Sequence, residues 1–205
     1  MIGGIKLQKQ AEILHKRFNA GGGWIPPVRV KGFNRVNLAC LFAEFGYKVG
    51  AEIGVADGRN ALTLCQNIPD LTLYCVDPWE RYAGNPRAHS TEHQNRCYEV
   101  AQQNLEQYNA IFLRQYAEDA YRNFDRESID FVYIDGNHGF DYVMLDLILW
   151  GRLVRPGGMI AGHDYYAFRW AGVVPAVNAY AAAHNVGEWY IDDDRREPSF
   201  FWVKG

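Results

Sequence analysis

At 205 residues the chain is long enough to bury a full core and short enough for one domain. Its residues are 48% hydrophobic, 15% aromatic and 22% charged, a globular make-up, and a net charge of −3 gives no bulk attraction to nucleic acid or anionic lipid. The longest apolar runs are interrupted by Asp, Arg or Gly well short of a membrane span.

The N-terminal stretch MIGGIKLQKQAEIL predicts an amphipathic helix, with Ile5, Ile13, Leu14 and Phe18 at helical spacing. It lacks the apolar block and small-residue cleavage site of a signal peptide. GGGWIPP then breaks the helix, because glycine supplies freedom and two prolines forbid continuation. Asn34 is placed to cap a second helix, NRVNLACLFAEFG, which stops at Gly46. From there strands and helices alternate. KVGAEIGV, LTLYCV, AIFLRQ, SIDFVYI and GGMIAG read as strands; GRNALTLCQNI, EHQNRCYEVAQQNLEQY, AEDAYRNF, FDYVMLDLILWGRLV and VVPAVNAYAAAH read as helices. PWERYAGNPRAHST reads as a long loop. The last two strands, VGEWYID and SFFWVKG, are joined by a short polar linker that suits an antiparallel hairpin, not a crossover. The expectation is one α/β domain over residues 1–205: a helical and lid segment over 1–46, then a core over 47–205. That core holds a seven-stranded, mostly parallel sheet with helices on both faces. The four cysteines (Cys40, Cys65, Cys75, Cys97) show no CxxC spacing, three of them lie in apolar segments, and a reduced cytoplasmic protein is the default.

The first strand–helix junction, EIGVADGRNAL, is the first candidate site. Open parallel sheets bind ligands beyond the carboxyl ends of their strands, where strand order reverses. Gly54 and Gly58 allow a tight turn and a close approach, but the three glycines of a dinucleotide cradle are absent. Asp77, ending the next strand about twenty residues on, is placed to accept both hydroxyls of a ribose. Read alone it is a turn residue before Pro78; paired with the glycine turn, ribose binding is the better reading. Glu52 lies inside an apolar strand and needs a partner, either a ligand ammonium or backbone donors.

EIGVADGRNAL followed by VDPW resembles the first two motifs of class I S-adenosylmethionine-dependent methyltransferases, with Ala56 at the middle glycine. YIDGNHGFDYVMLDLILWGRLVRPGGMIAGHDYY is similar to the metal-linked O-methyltransferase subgroup that includes macrocin-type sugar O-methyltransferases and proteins labelled cephalosporin hydroxylases. Asn137 replaces an Asp of that pattern, and Gly139–Phe140 replace Ser–Tyr. The resemblance runs from about Lys48 to Tyr166 and implies a Rossmann-like class I methyltransferase fold. It implies that Gly54, Ala56 and Gly58 line the methionine end of the cofactor. Asp77 would hold the ribose, and Ala117, Glu118 and Asp119 would border the adenine; Trp79 either packs on the adenine or is a buried or lid tryptophan. Glu118 and Asp119 also suit the first turn of a helix on electrostatic grounds alone.

Methyl transfer to an alcohol requires removal of the hydroxyl proton. The strands SIDFVYI and GGMIAG are expected side by side, so Asp135, His163 and Asp164 converge at one rim as ligands of a divalent cation, Mg²⁺ or Mn²⁺ by donor type. His138 is the expected general base, with Asp135 beside it. Taken singly, Asp135 is a helix cap, His138 a surface residue and the His–Asp pair structural; convergence at adjacent strand ends favours the functional reading. His15, His89, His93 and His184 have no such context. The expected acceptor is a sugar or another polyhydroxy or phenolic small molecule, with no nucleic-acid or membrane partner; a homo-oligomer stays open. A non-haem iron oxygenase and a non-catalytic cofactor-binding protein are the alternatives. Residues 21–31 and 80–92 are expected to form a lid, with Trp24, Arg29, Lys31, Tyr82 and Arg87 as acceptor contacts.

Overall fold

The computed structural model describes residues 2–18, 26–80, 90–167, 171–194 and 196–205, with side chains from residue 9 onward. The helices are α1 (Ile2–Phe18), α2 (Arg35–Glu44), α3 (Arg59–Asn67), α4 (Thr91–Leu105), α5 (Ala117–Ala120), α6 (Phe140–Gly151) and α7 (Val173–Ala183). The strands are β1 (Val28–Arg29), β2 (Val49–Ile53), β3 (Thr72–Val76), β4 (Asn109–Leu113), β5 (Ile129–Ile134), β6 (Val154–Gly162), β7 (Tyr190–Ile191) and β8 (Phe200–Val203). They form one sheet in the order β1-β7-β8-β6-β5-β2-β3-β4. Strands β6, β5, β2, β3 and β4 run parallel, and β8 inserts antiparallel between β6 and β7. The expected terminal hairpin is therefore present.

Eight strands replace the seven expected. The addition, β1, falls inside the stretch read as breaker and lid. Pro26 and Pro27 offer no N–H, but Val28 and Val30 donate theirs to the carbonyls of Trp189 (2.9 Å) and Ile191 (2.8 Å), which suffices for an edge strand parallel to β7. Val28 and Val30 are buried, so this part of the expected lid belongs to the sheet edge. Trp24, Tyr82, Arg87 and His89 lie outside the described residues.

Helices cover both faces because the central strands are apolar on both. Along β5, Phe131 and Tyr133 join the cluster under α1 to α4, while Val132 and Ile134 join the one under α5 to α7. A run such as IDFVYI has no polar face because neither face meets water. At the sheet-proximal start of α2, Asn34 accepts from the N–H groups of Val36 (2.9 Å) and Asn37 (3.1 Å). The Asn37 side chain accepts in return from Asn34 N–H (3.0 Å). Such a reciprocal cap is worth about 1 kcal/mol.

The register positions the site. Ile53 pairs with Ile134, and Ile134 with Gly162, so β2, β5 and β6 end level. The ladder continues one residue further: Asp135 N–H reaches Ile53 O (2.7 Å) and His163 N–H reaches Ile134 O (2.9 Å). Gly54, Asp135 and His163 therefore stand in a row on the carboxyl rim. Strand order reverses between β2 and β5, the place where open α/β sheets take their ligands.

Candidate active site

Gly54 has φ of +84°, and a Cβ there would lie 2.2 Å from the carbonyl oxygen of Asp135. Glycine is required so that the ends of β2 and β5 can close on each other. The chain then loops through Val55–Gly58 into α3. Asp77, at the end of β3, holds this loop. Its Oδ2 accepts from the N–H groups of Val55 (2.9 Å) and Ala56 (3.0 Å), and its Oδ1 accepts from Trp79 N–H (2.7 Å). Burial raises the Asp77 pKa, against the opposing pull of those three donors and of Arg114. The carboxylate thus shapes the turn before any ligand arrives.

Two of the expected cofactor residues have partners within the protein. Trp79 is fully buried, its ring centroid 4.7 Å from that of Tyr98, and its indole N–H donates to Ala56 O (2.8 Å). That bond ties the indole to the turn. Gly58 (φ +79°) would direct a Cβ to within 3.1 Å of Ala101 on α4, so its lack of a side chain allows close helix packing. Ala117 opens α5 and its carbonyl accepts from Trp150 Nε1 (3.2 Å), while Glu118 and Asp119 are exposed beside it.

Glu52 is 1% exposed. Its Oε1 accepts from Asn60 Nδ2 (2.9 Å), but its buried Oε2 has no partner. Burial pushes its carboxyl up to about 8, with Asn60 opposing and Asp135 reinforcing the shift. A buried acceptor left open beside a glycine turn fits a ligand cation.

The rim cluster is compact. His138 Nε2 lies 2.9 Å from Asp164 Oδ2 and 3.6 Å from Asp135 Oδ1. His163 Nδ1 lies 3.3 Å from Asp164 Oδ1 and 3.6 Å from Asp135 Oδ2. Each carboxylate thus faces both imidazoles. Burial disfavours both imidazolium ions, but hydrogen bonds to Asp135 and Asp164 outweigh it, lifting His138 to about 9 and His163 to about 10. Burial also acts against the Asp164 carboxylate, yet the two imidazoles pull its pKa well below the usual range. Ligand atoms of Asp135, His138 and Asp164 fall within 4.8 Å of one another, so this donor set includes the residue expected as base. A second set joins His163 and Asp164 to Glu197, an exposed residue of the β7–β8 connection that sequence reasoning missed; nothing but its polarity marked it.

Backbone strain concentrates in the same place. Of six non-glycine residues with positive φ among those described, three lie on this rim: Ala56 (+48°), Trp79 (+45°) and Asp164 (+58°). Such conformations cluster where function over-determines the backbone. Asn137 uses its Oδ1 to accept from Gly139 N–H (2.9 Å) and leaves a buried Nδ2 without a partner. His15 pairs with Glu188 (2.6 Å) and His184 stacks on Tyr180 (4.1 Å), both away from the rim.

A doubly wound sheet with an antiparallel β8, a glycine turn after β2 and a His–carboxylate cluster on the adjoining strand ends is a Rossmann-like methyltransferase fold. The chain belongs to the methyltransferase-domain family, whose sequence model matches residues 51–165, more than half of the chain. The fold is similar to that of the O-methyltransferase from Bacillus cereus solved in complex with SAH: 15% identity, 98% of this chain and 91% of that one covered, TM-score 0.61. It is equally similar to TomG from Streptomyces achromogenes, an O-methyltransferase involved in tomaymycin synthesis and solved with SAM: 16% identity, 98% and 90% covered, TM-score 0.60. An uncharacterized protein of Acanthamoeba polyphaga mimivirus is 29% identical over 143 residues, 67% of this chain; the match spans 61% of that curated relative. Among the described residues no helix is long and apolar enough to cross a membrane.

Proposed function

We propose that the protein transfers a methyl group from S-adenosylmethionine to a hydroxyl of a small molecule, with Asp135 and Asp164 holding a divalent cation and His138 taking the hydroxyl proton. The observation that carries this reading is the meeting of His138, Asp135 and Asp164 on the rim next to the Gly54 turn. The residues present fit both the cofactor and the cation. The open Oε2 of Glu52 suits the cofactor's ammonium, and the turn pinned by Asp77 gives a fixed wall for its nucleoside. The two carboxylates suit Mg²⁺ or Mn²⁺, and His163 as the third ligand alongside Asp135 and Asp164 shifts the balance toward Mn²⁺, Fe²⁺ or Zn²⁺.

Bound S-adenosylmethionine supplies an electrophilic methyl group, and a divalent cation supplies Lewis acidity for the acceptor hydroxyl. The chain's own residues do the rest. Asp164 orients His138 through the 2.9 Å contact and fixes which face of the imidazole meets the acceptor. Paired with two free carboxylates, His138 keeps its proton at neutral pH; once those carboxylates are engaged by other charge, its pKa falls and the imidazole can act as base. Gly54, Ala56, Gly58 and Asp77 shape the cofactor turn, Trp79 supports it, and Ala117, Glu118 and Asp119 flank the base. The four cysteines are free, which supports a reducing compartment such as the cytoplasm. The acceptor class that suits a chelating site is a sugar or another polyhydroxy or phenolic compound.

The test is calorimetric binding of S-adenosylhomocysteine, followed by a product-release assay over polyhydroxy and phenolic acceptors with and without chelator. Micromolar binding and chelator-sensitive turnover are expected. Absence of cofactor binding, or turnover indifferent to chelation, contradicts the proposal.

A further inference from the structure

Helix α6 turns an apolar face to solvent. Its inner side, with Val143, Asp146, Leu147, Trp150 and Gly151, is buried. On the opposite side Asp141, Leu145, Ile148 and Arg152 follow at alternating steps of a helical turn, which sets them on one outward stripe. Tyr142 and Leu149 widen it on one flank and Met144 on the other. Tyr142 is 44% exposed and Leu145 38%; with Phe140 (42%) they are three of the five exposed large apolar residues among those described. The outward face of a surface helix is ordinarily polar, so this concentration on one helix marks a face that something covers.

The charges indicate what covers it. Between its ends the stripe carries none. Asp141 stands in the first turn and Arg152 is the C-cap. Both are exposed, and among the described residues neither side chain makes an ion pair or a hydrogen bond. The helix has 12 residues and is about 18 Å long. A second α6 laid antiparallel across a two-fold axis brings each Asp141 to Arg152 of the partner subunit. The same register sets each Leu145 against Ile148 of the partner subunit, because the charged pair and the apolar pair share one centre, level with the peptide between Asp146 and Leu147. One register therefore forms two ion pairs and closes the apolar middle, as a self-complementary face requires. A lipid surface would call for several basic residues beside the apolar stripe, whereas here one acid offsets one base.

We propose that the outer face of α6 is a homodimer interface, in which two copies pack antiparallel through Leu145 and Ile148 and pair Asp141 with Arg152 across the dyad. This inference does not depend on the cofactor reading. Asp141 follows His138 by three residues, so the interface borders the candidate active site. A contact built on two short helices is at the small end of specific interfaces, and a dissociation constant of about 1–100 µM is expected.

The test is sedimentation equilibrium of the full chain from about 1 to 300 µM, a range that brackets that constant. Leu145→Glu should weaken association at least tenfold. So should Asp141→Lys and Arg152→Glu, each of which sets like charges against each other twice across the dyad. Mixing Asp141→Lys with Arg152→Glu should restore association to within about threefold of wild type, because the mixed dimer pairs opposite charges at both ends. Thermal melts of the dilute proteins check folding, and the two charge variants, both at exposed positions, keep the test valid if Leu145→Glu does not fold. Wild type that stays monomeric throughout overturns the proposal and leaves the face to a different protein. A dimer that none of the variants weakens overturns it by placing the interface elsewhere, and a mixture that stays as weak as its components overturns the antiparallel register.

Discussion

Glu52→Gln should stabilise the ligand-free protein, and only above mid-acid pH. The carboxyl is 1% exposed, shares one hydrogen bond with Asn60 and leaves Oε2 open. Burial raises its pKa from 4.5 to about 8. Between those values the native state holds a proton that the unfolded chain has lost, so stability is complete below pH 4.5 and declines as pH rises through about 8. At about 1.4 kcal/mol per unit, the ceiling on that decline is about 5 kcal/mol. Relaxation around the ionised group reduces it, and a net effect of about 2–4 kcal/mol is expected. Glutamine keeps the Asn60 contact and cannot ionise. Urea unfolding should therefore show near-equal stability of wild type and variant at pH 5 and a variant advantage of about 2–4 kcal/mol at pH 9. Saturating S-adenosylhomocysteine should narrow the gap, because its ammonium pairs with wild-type Glu52 and not with glutamine. A variant less stable than wild type at pH 9, or parallel pH profiles, would refute the assignment of Glu52 as a buried carboxyl awaiting a cation.

Asp77→Ala should orphan the N–H groups of Val55, Ala56 and Trp79, costing about 2–4 kcal/mol in urea unfolding and at least tenfold in cofactor affinity; a stability change under 0.5 kcal/mol contradicts this. Gly54→Ala places a methyl 2.2 Å from Asp135 O and should prevent accumulation of soluble protein, whereas Gly58→Ala meets Ala101 at 3.1 Å and should lower stability by about 1–3 kcal/mol. Thermal melts rank the two, and a reversed order sinks the packing argument. His138→Ala should leave cofactor affinity intact and slow turnover by about 10²–10⁴-fold, read in single-turnover kinetics; an unchanged rate removes His138 as base.

Much of the fold was legible because each local signal agreed with the global one. Apolar runs closed by Asp77, Asp135 and His163 marked strand ends, and Asn34 announced α2 three residues before Asn37 completed its cap. The rim cluster was legible for the same reason: once β5 and β6 are neighbours, residues 135 and 163–164 must meet. What escaped depends on distant partners. The two residues of β1 are a strand only because the carbonyls of Trp189 and Ile191 receive their flanking N–H groups. Trp79 left packing on the adenine and burial both open in the sequence, and its burial depends on the side chains of Tyr98 and Phe112. The direction of the missing Cβ at Gly58 is set by α4, more than thirty residues on.

The most direct measurement is transfer of labelled methyl from S-adenosylmethionine to a mixed pool of polyhydroxy and phenolic acceptors, run with Mg²⁺ or Mn²⁺, after chelation, after cation restoration, and with Asp164→Ala. The account predicts incorporation by wild type that disappears on chelation and returns with the cation. It predicts none by Asp164→Ala, even though that variant still binds S-adenosylhomocysteine. Incorporation that survives both chelation and loss of the Asp164 carboxylate would contradict it.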